Sequence, residues 1–214
     1  PDRRDEYWKY TRPDTLVQAE PIPAALFDGE EEPVFGAIDR LRIVFVDGVF
    51  DADASDDLAL EGVRIERLAE ACADIHWARD LYGVLETRGQ KPVARPLAAL
   101  NTAFAADGVL LHVTGKVSKP INLQYFHRDD SSDAILHHVI RVDAGAEVTV
   151  VENGPAAARF NKVMEVDVAD GARFDVFQLA DAAVGQDAAR ALRMLYGLRK
   201  EGVAGLAAAQ PSVP

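Results

Sequence analysis

Apolar and polar positions alternate in short runs through the middle of the chain. VLLHV, PINLQYF, AILHHVIRV, EVTVVEN, RFNKVMEVDV and RFDVFQLA follow one another from Gly108 to Ala180. Each run is rich in Val, Ile, Leu and Phe. GKVSKP, RDDSSD, DAGA, NGPAA and ADGA separate them. β-type runs bounded by Gly, Pro, Asn, Asp and Ser predict a β body. No helical period lies between the runs, which argues against βαβ units. Upstream, RLRIVFVDGVF (Arg40 to Phe50) predicts a hairpin turning on Asp47-Gly48. VRIERL (Val63 to Leu68) predicts a further strand. Apolar spacing predicts a helix over Ala69 to Leu85 and a second over Arg95 to Ala106. In the second, Leu97, Leu100 and Phe104 share a face. Ala182 to Lys200 predicts a helix, followed by a frayed tail.

The β stretch repeats itself weakly. Val139 to Val151 and Val163 to Phe177 both read Val-x-x-Val-Asp, then Gly-Ala, a charged residue and an alternating run. The first parts lie 24 residues apart and the Gly-Ala parts 26, which reads as two extra loop residues in the second copy. Periodicity alone leaves a solenoid and a sandwich or barrel equally open. Three regions follow: a mixed, helical 1–107, a β core 108–180, and an Ala-rich tail 181–214.

Composition narrows the partners. The chain has 214 residues and a formal charge of −12, which disfavours nucleic acid and anionic membrane. No apolar run approaches a bilayer span, and the N-terminus lacks a signal-peptide core. With one cysteine, Cys72, there is no intrachain disulfide framework, and the cytoplasm is the expected compartment. The chain starts at Pro1 without Met, so its true start reads as missing.

Candidate chemistry is sparse. Asp51, Asp53, Ser55 and Asp57 alternate as in an EF-hand loop. Asp56 stands where that loop needs Gly, and Gly62 where it needs Glu, so the reading is a solvated acidic turn. Cys72 and His76 are four apart on one predicted helical face but lack further ligands. His137 and His138 are adjacent and must point to opposite faces of a strand, so they cannot share a metal. His112 and His127 fall on successive predicted strands and could approach, again without a third ligand. Asp143 and Asp167 recur in the repeat and read as turn caps. Gly108 to Lys116 has the wrong spacing for a phosphate-binding loop, and Val117 stands where Ser or Thr is needed. No residue is assigned a catalytic, cofactor-binding or metal role.

An ordered set of segments nevertheless resembles the SufB/SufD family of iron–sulfur cluster assembly scaffold proteins, and the SufD member more. EYWKYT near the N-terminus, RPLAALNTAFAADGVLLHV (Arg95 to Val113), Pro120-Ile121, RVDAGAEVTVVEN (Arg141 to Asn153) and NKVMEVDVADGARF (Asn161 to Phe174) carry it. The resemblance spans roughly Tyr7 to Ala180. It implies a mainly β fold, a right-handed parallel β-helix preceded by a small helical or mixed region. It also implies a non-catalytic subunit partnering SufB and the ATPase SufC, with the cluster assembled by the wider complex. The alternatives are a β-helix enzyme acting on carbohydrate and a cofactor-free β-rich interaction module. The resemblance fades near Ala180, so the chain reads as truncated or altered at its end. No cluster-binding or SufC-docking residue carries over. An early-ending coil exposes an unpaired rung, and self-association is expected.

Overall fold

The computed structural model describes residues 19–20, 26, 38–71, 77–84, 96–154 and 157–178. The EYWKYT segment, most of the Pro-rich connector, Cys72, His76 and the predicted Ala182–Lys200 helix lie outside the described residues.

The described chain is mainly β, in two mixed sheets. The strands are β1 (Leu41–Val46), β2 (Val49–Phe50), β3 (Val63–Arg67), β4 (Val109–Val113), β5 (Ile121–Phe126), β6 (Asp133–Val142), β7 (Glu147–Asn153), β8 (Arg159–Val168) and β9 (Arg173–Gln178). All six predicted runs of the β body are strands. The predicted hairpin forms as well. Asp47 and Gly48 both take positive φ, 50° and 79°, the geometry of a primed turn that matches strand twist.

From β4 onward, successive strands go to alternate sheets. One sheet has the order β2-β1-β5-β7-β9 and the other β3-β4-β6-β8. Along β4-β6-β8 and β1-β5-β7-β9 every pairing is parallel, while β2 and β3 add antiparallel edges. Leu110 pairs with Val139 and Ile121 with Val150, an advance of 29 residues. Asp133 then pairs with Arg159 and Glu147 with Arg173, an advance of 26.

That register corrects the sequence repeat. The advance from β6 to β8 is 26 along the whole pairing, so Val139 meets Glu165 and Arg141 meets Asp167. No two-residue loop insertion separates the copies. A slip of two residues keeps every side chain on its face, so the hydrophobic pattern fits offsets of 24 and 26 alike.

Alternate residues point between the sheets and form one core, with Ile43, Phe45, Leu111, Leu123, Ile140 and Val150 all essentially inaccessible. Each such side chain contributes about 1.5–3 kcal/mol when fully buried. A second, smaller core lies on the outer face of β4 and β6. There Leu110 and Val139 are covered by Ala78 and Leu81, with Trp77 and Tyr82 packed alongside.

The N-terminal cover differs from the predicted helices. Within Ala69–Leu85 the described residues form a single helical turn, α1 (Leu68–Ala71), and a 3-10 turn at Trp77–Asp80. Gly83 takes φ 68°, outside helical space. The second helix, α2 (Pro96–Phe104), forms with Pro at its first turn. It does not bury the face that Leu100 and Phe104 share. Leu100 and Phe104 are 39% and 68% exposed, whereas the polar Asn101 is fully buried. Hydrogen bonds from Asn101 to the sheet outweigh the apolar stripe.

The acidic stretch after the hairpin closes the edge of β1. The Ser55 hydroxyl accepts the Val44 N–H, and the Asp56 carboxylate accepts the Arg42 N–H at 2.8 Å. The Arg42 guanidinium beside Asp56 holds that carboxyl below its usual range. Asp51 turns its carboxylate back onto the N–H groups of Asp53 and Ala54. These carboxylates serve backbone and arginine donors, and with the Asp51 and Asp56 N–H groups they cap the part of β1 that β2 does not pair.

Candidate functional site

The densest buried chemistry flanks β6 on both faces. His137 and His138 are fully buried and point oppositely, as adjacent strand residues must.

His138 faces the space between the sheets. Its Nδ1 accepts the Val109 N–H at 3.0 Å, so that nitrogen carries no hydrogen. Its Nε2 lies 2.9 Å from the Tyr125 hydroxyl, and Tyr125 donates to Glu152 Oε1 at 2.7 Å. The directions are therefore fixed: Val109 N–H to His138, His138 Nε2–H to Tyr125, Tyr125 O–H to Glu152. Lys162 completes the chain by pairing its ammonium with the same Glu152 oxygen, with Nζ 5.5 Å from the Tyr125 ring centre. Burial holds the His138 imidazole well below its ordinary pKa, aided by the Lys162 charge. Burial likewise pushes the Tyr125 phenol well above its ordinary value, aided by the Glu152 charge. The imidazole is neutral and the phenol keeps its proton.

Four strands build this relay by register. Tyr125 is on β5, His138 on β6, Glu152 on β7 and Lys162 on β8. Each occupies an inward phase otherwise filled by apolar residues, such as Leu123, Leu136, Val150 and Phe160. Phe45 and Phe160 pack against the Tyr125 ring and wall the relay from water.

His137 faces the N-terminal cover. Its Nδ1 lies 2.8 Å from Asn101 Oδ1 on α2, and its Nε2 3.1 Å from Glu165 Oε2 on β8. The Tyr82 ring packs on the imidazole, tilted by 31°, with 4.1 Å between ring centres. The Asn101 amide donates to the carbonyls of Leu136 and Asn161, joining α2 to two adjacent strands. Glu165 also accepts the Gly83 N–H at 2.8 Å.

Asp107-Gly108 sets the approach of β4 to β6. The Asp107 carboxylate accepts from Arg67 at 2.6 Å and from the Gly108 N–H at 2.8 Å. A Cβ on Gly108 would lie 1.9 Å from the His137 carbonyl oxygen, so only glycine fits.

The other histidines are dispersed. His112, on the outer face of β4, contacts Asp143 at 3.0 Å, and its ring packs on Trp77. His127 is buried just after β5, in the other sheet, and its Nδ1 has no hydrogen-bond partner among the described residues. The two do not meet. Asp143 and Asp167 are not equivalent turn caps. Asp143 binds His112, whereas Asp167 lies within β8 and faces Arg141 across the sheet at 3.5 Å. Among the described residues no group of three or more His, Cys, Asp or Glu could hold a metal ion. His137 and His138 have both ring nitrogens engaged, so neither offers a free ligand position.

Tyr125, Asn101, Glu152, Lys162 and Glu165 were not singled out from sequence. The available signal was phase: Glu152 and Lys162 are charged residues in step with inward apolar positions. As built, the arrangement aligns dipoles and ties four strands together. The phenol is held protonated and the imidazole neutral, and both are buried.

The chain matches no family model and no curated protein.

Proposed function

We propose that the chain is a non-catalytic, SufD-like subunit of an iron–sulfur cluster assembly scaffold, built on a right-handed parallel β-helix. One observation carries this reading. The segments that resemble the SufB/SufD family, Arg141 to Asn153 and Asn161 to Phe174, form successive strands that alternate between two sheets and stack in parallel at a constant advance of 26 residues. Such alternation is how a chain coils into a β-helix, and parallel crossovers in one sheet are overwhelmingly right-handed. The Leu-Asn-x-Ala-Phe segment supports it as well, since its Asn101 fastens the helical region onto the coil. In this reading the partners are a SufB-like subunit and a SufC-like ATPase in the cytoplasm, and the cluster is built by the wider complex. No helix among the described residues is long and apolar enough to cross a membrane.

Affinity purification of the tagged full-length protein from its native cells tests the proposal. Recovery of an ATPase subunit together with a SufB-like protein is the expected result. Recovery of neither, under conditions that preserve such complexes in a control, sinks it.

A further inference from the structure

The donors and acceptors around His137 cannot all be satisfied unless an extra proton is present. Asn101 Nδ2 faces three oxygens: the Leu136 carbonyl at 2.9 Å, the Asn161 carbonyl at 3.0 Å and Asn161 Oδ1 at 3.2 Å. Asn161 is itself oriented, because its Nδ2 donates to the Leu97 carbonyl. The Asn101 amide therefore cannot be reversed, and its Oδ1 must be the atom facing His137. It follows that His137 Nδ1 carries a hydrogen. If the ring were neutral, its Nε2 would then present a bare lone pair to Glu165 Oε2 at 3.1 Å. Two acceptors would face each other in a site from which water is excluded, a costly arrangement.

We propose that His137 and Glu165 hold one shared proton between Nε2 and Oε2, and that this proton latches the turn at residues 77–84 onto the outer face of β6 and β8. The other Glu165 oxygen is buried without a hydrogen-bond partner among the described residues, which makes an uncompensated carboxylate harder still to accommodate. The same Oε2 that shares the proton takes the Gly83 N–H. Loss of the proton sets the carboxylate against the imidazole and loosens the side chain that accepts the Gly83 N–H. Tyr82, set against the ring, and Leu81, packed on Val139, lie in the segment that would be freed.

Among the described residues, the groups around the pair supply no other proton. From α2 comes the neutral Asn101. From the turn comes Tyr82, whose hydroxyl already donates to the Thr102 carbonyl. From the β4 side comes Asp107, whose carbonyl takes the His137 N–H while its carboxylate turns to Arg67. His138 points to the opposite face, and Lys162 is engaged with Glu152 there.

The test uses amide exchange at Gly83 together with the ring itself. In Glu165→Gln, an amide oxygen in the place of Oε2 still accepts from Gly83 and carries no charge at any pH, so no carboxylate is left to be set against the imidazole; the amide nitrogen then takes the place of Oε1. As pH is raised from neutral, Gly83 protection, corrected for intrinsic exchange, is expected to fall by about tenfold or more in the wild type and to stay flat in Glu165→Gln. Parallel pH profiles for the two proteins overturn the proposal. Independently, nitrogen-15 spectra of the wild-type histidine rings are expected to show hydrogen on His137 Nδ1 and a strongly deshielded proton in the Nε2 contact. A ring with a bare Nε2 and no such proton refutes it even if the variant does not fold.

Discussion

His137 and His138 are neighbours in β6, yet Nδ1 carries a hydrogen in His137 and none in His138. The first nitrogen faces the Asn101 side-chain oxygen and the second faces the Val109 N–H. One strand thus places two imidazoles in opposite hydrogen-bonding states within a single peptide unit. Each fastens β6 to a different layer: His137 to the N-terminal cover, His138 to the facing sheet through Tyr125.

The inward relay makes removal of single members costly and removal of matched pairs cheaper. Lys162→Met removes the ammonium that pairs with the buried Glu152 carboxylate, and a loss of about 3–5 kcal/mol is expected. Glu152→Gln/Lys162→Met removes both charges while keeping an acceptor for the Tyr125 hydroxyl. Denaturant unfolding should find the double variant more stable than Lys162→Met alone. Additive losses would show that the pair is not coupled.

Stability should fall at both ends of the pH scale for identifiable reasons. The folded state keeps His138 neutral because burial depresses its pKa. Below about pH 6.5 the unfolded chain binds a proton there that the folded chain does not, so stability drops as pH falls, by up to about 1.4 kcal/mol per unit. Tyr125 acts in the opposite sense. Its raised pKa keeps the phenol protonated when folded, whereas above about pH 10 the unfolded phenol ionises, so stability drops as pH rises. Urea midpoints across the pH range should lose the alkaline component in Tyr125→Phe and part of the acid component in His138→Gln. A wild-type alkaline slope retained in Tyr125→Phe would assign it to other groups.

Two glycines should differ sharply when replaced by alanine. Gly108 sits against the His137 carbonyl, so a methyl group forces β4 away from β6, and a loss above about 4 kcal/mol is expected. Gly145 takes φ 75° in open space with nothing within 4 Å. There alanine meets only backbone strain, about 1–2 kcal/mol. Soluble yield and denaturation midpoints separate the two, and equal losses would mean that the close approach at Gly108 relaxes readily.

The strands were legible because each apolar run is flanked by turn residues that stop it. The register was not, since offsets of 24 and 26 place the same faces inward. The helix predicted over Ala69–Leu85 was read from apolar spacing alone. Ala78 and Leu81 are indeed buried there, but Ala78 lies in a 3-10 turn that ends at Asp80, and Leu81 in the turn after it that runs into the left-handed Gly83. The buried face of α2 was not legible because Asn101 contributes nothing to hydrophobic periodicity, although its amide makes three of the contacts that seat the helix. The opposed histidines followed from strand geometry. Their partners did not, because Glu152 and Glu165 lie 14 and 28 residues downstream of His138 and His137, and only the pairing brings them together.

The last strands set the expected behaviour of the 214-residue chain in solution. β8 and β9 stand at the ends of their sheets, each with a strand neighbour on one side only among the described residues. The inward residues Phe160, Met164, Val166 and Phe174 are only partly buried there, and Val168 and Val176 are 44% and 41% exposed. Parallel strands with an open edge and apolar residues beside it pair with further strands. The chain is expected to self-associate, with the mean mass in light scattering rising with concentration. Val168→Lys/Val176→Lys places charge beside both edges and should shift the population toward monomer without lowering the unfolding midpoint by more than about 1 kcal/mol. A wild-type chain that stays monomeric across the concentration range would show that these edges are already covered, and the paired lysines would then change nothing.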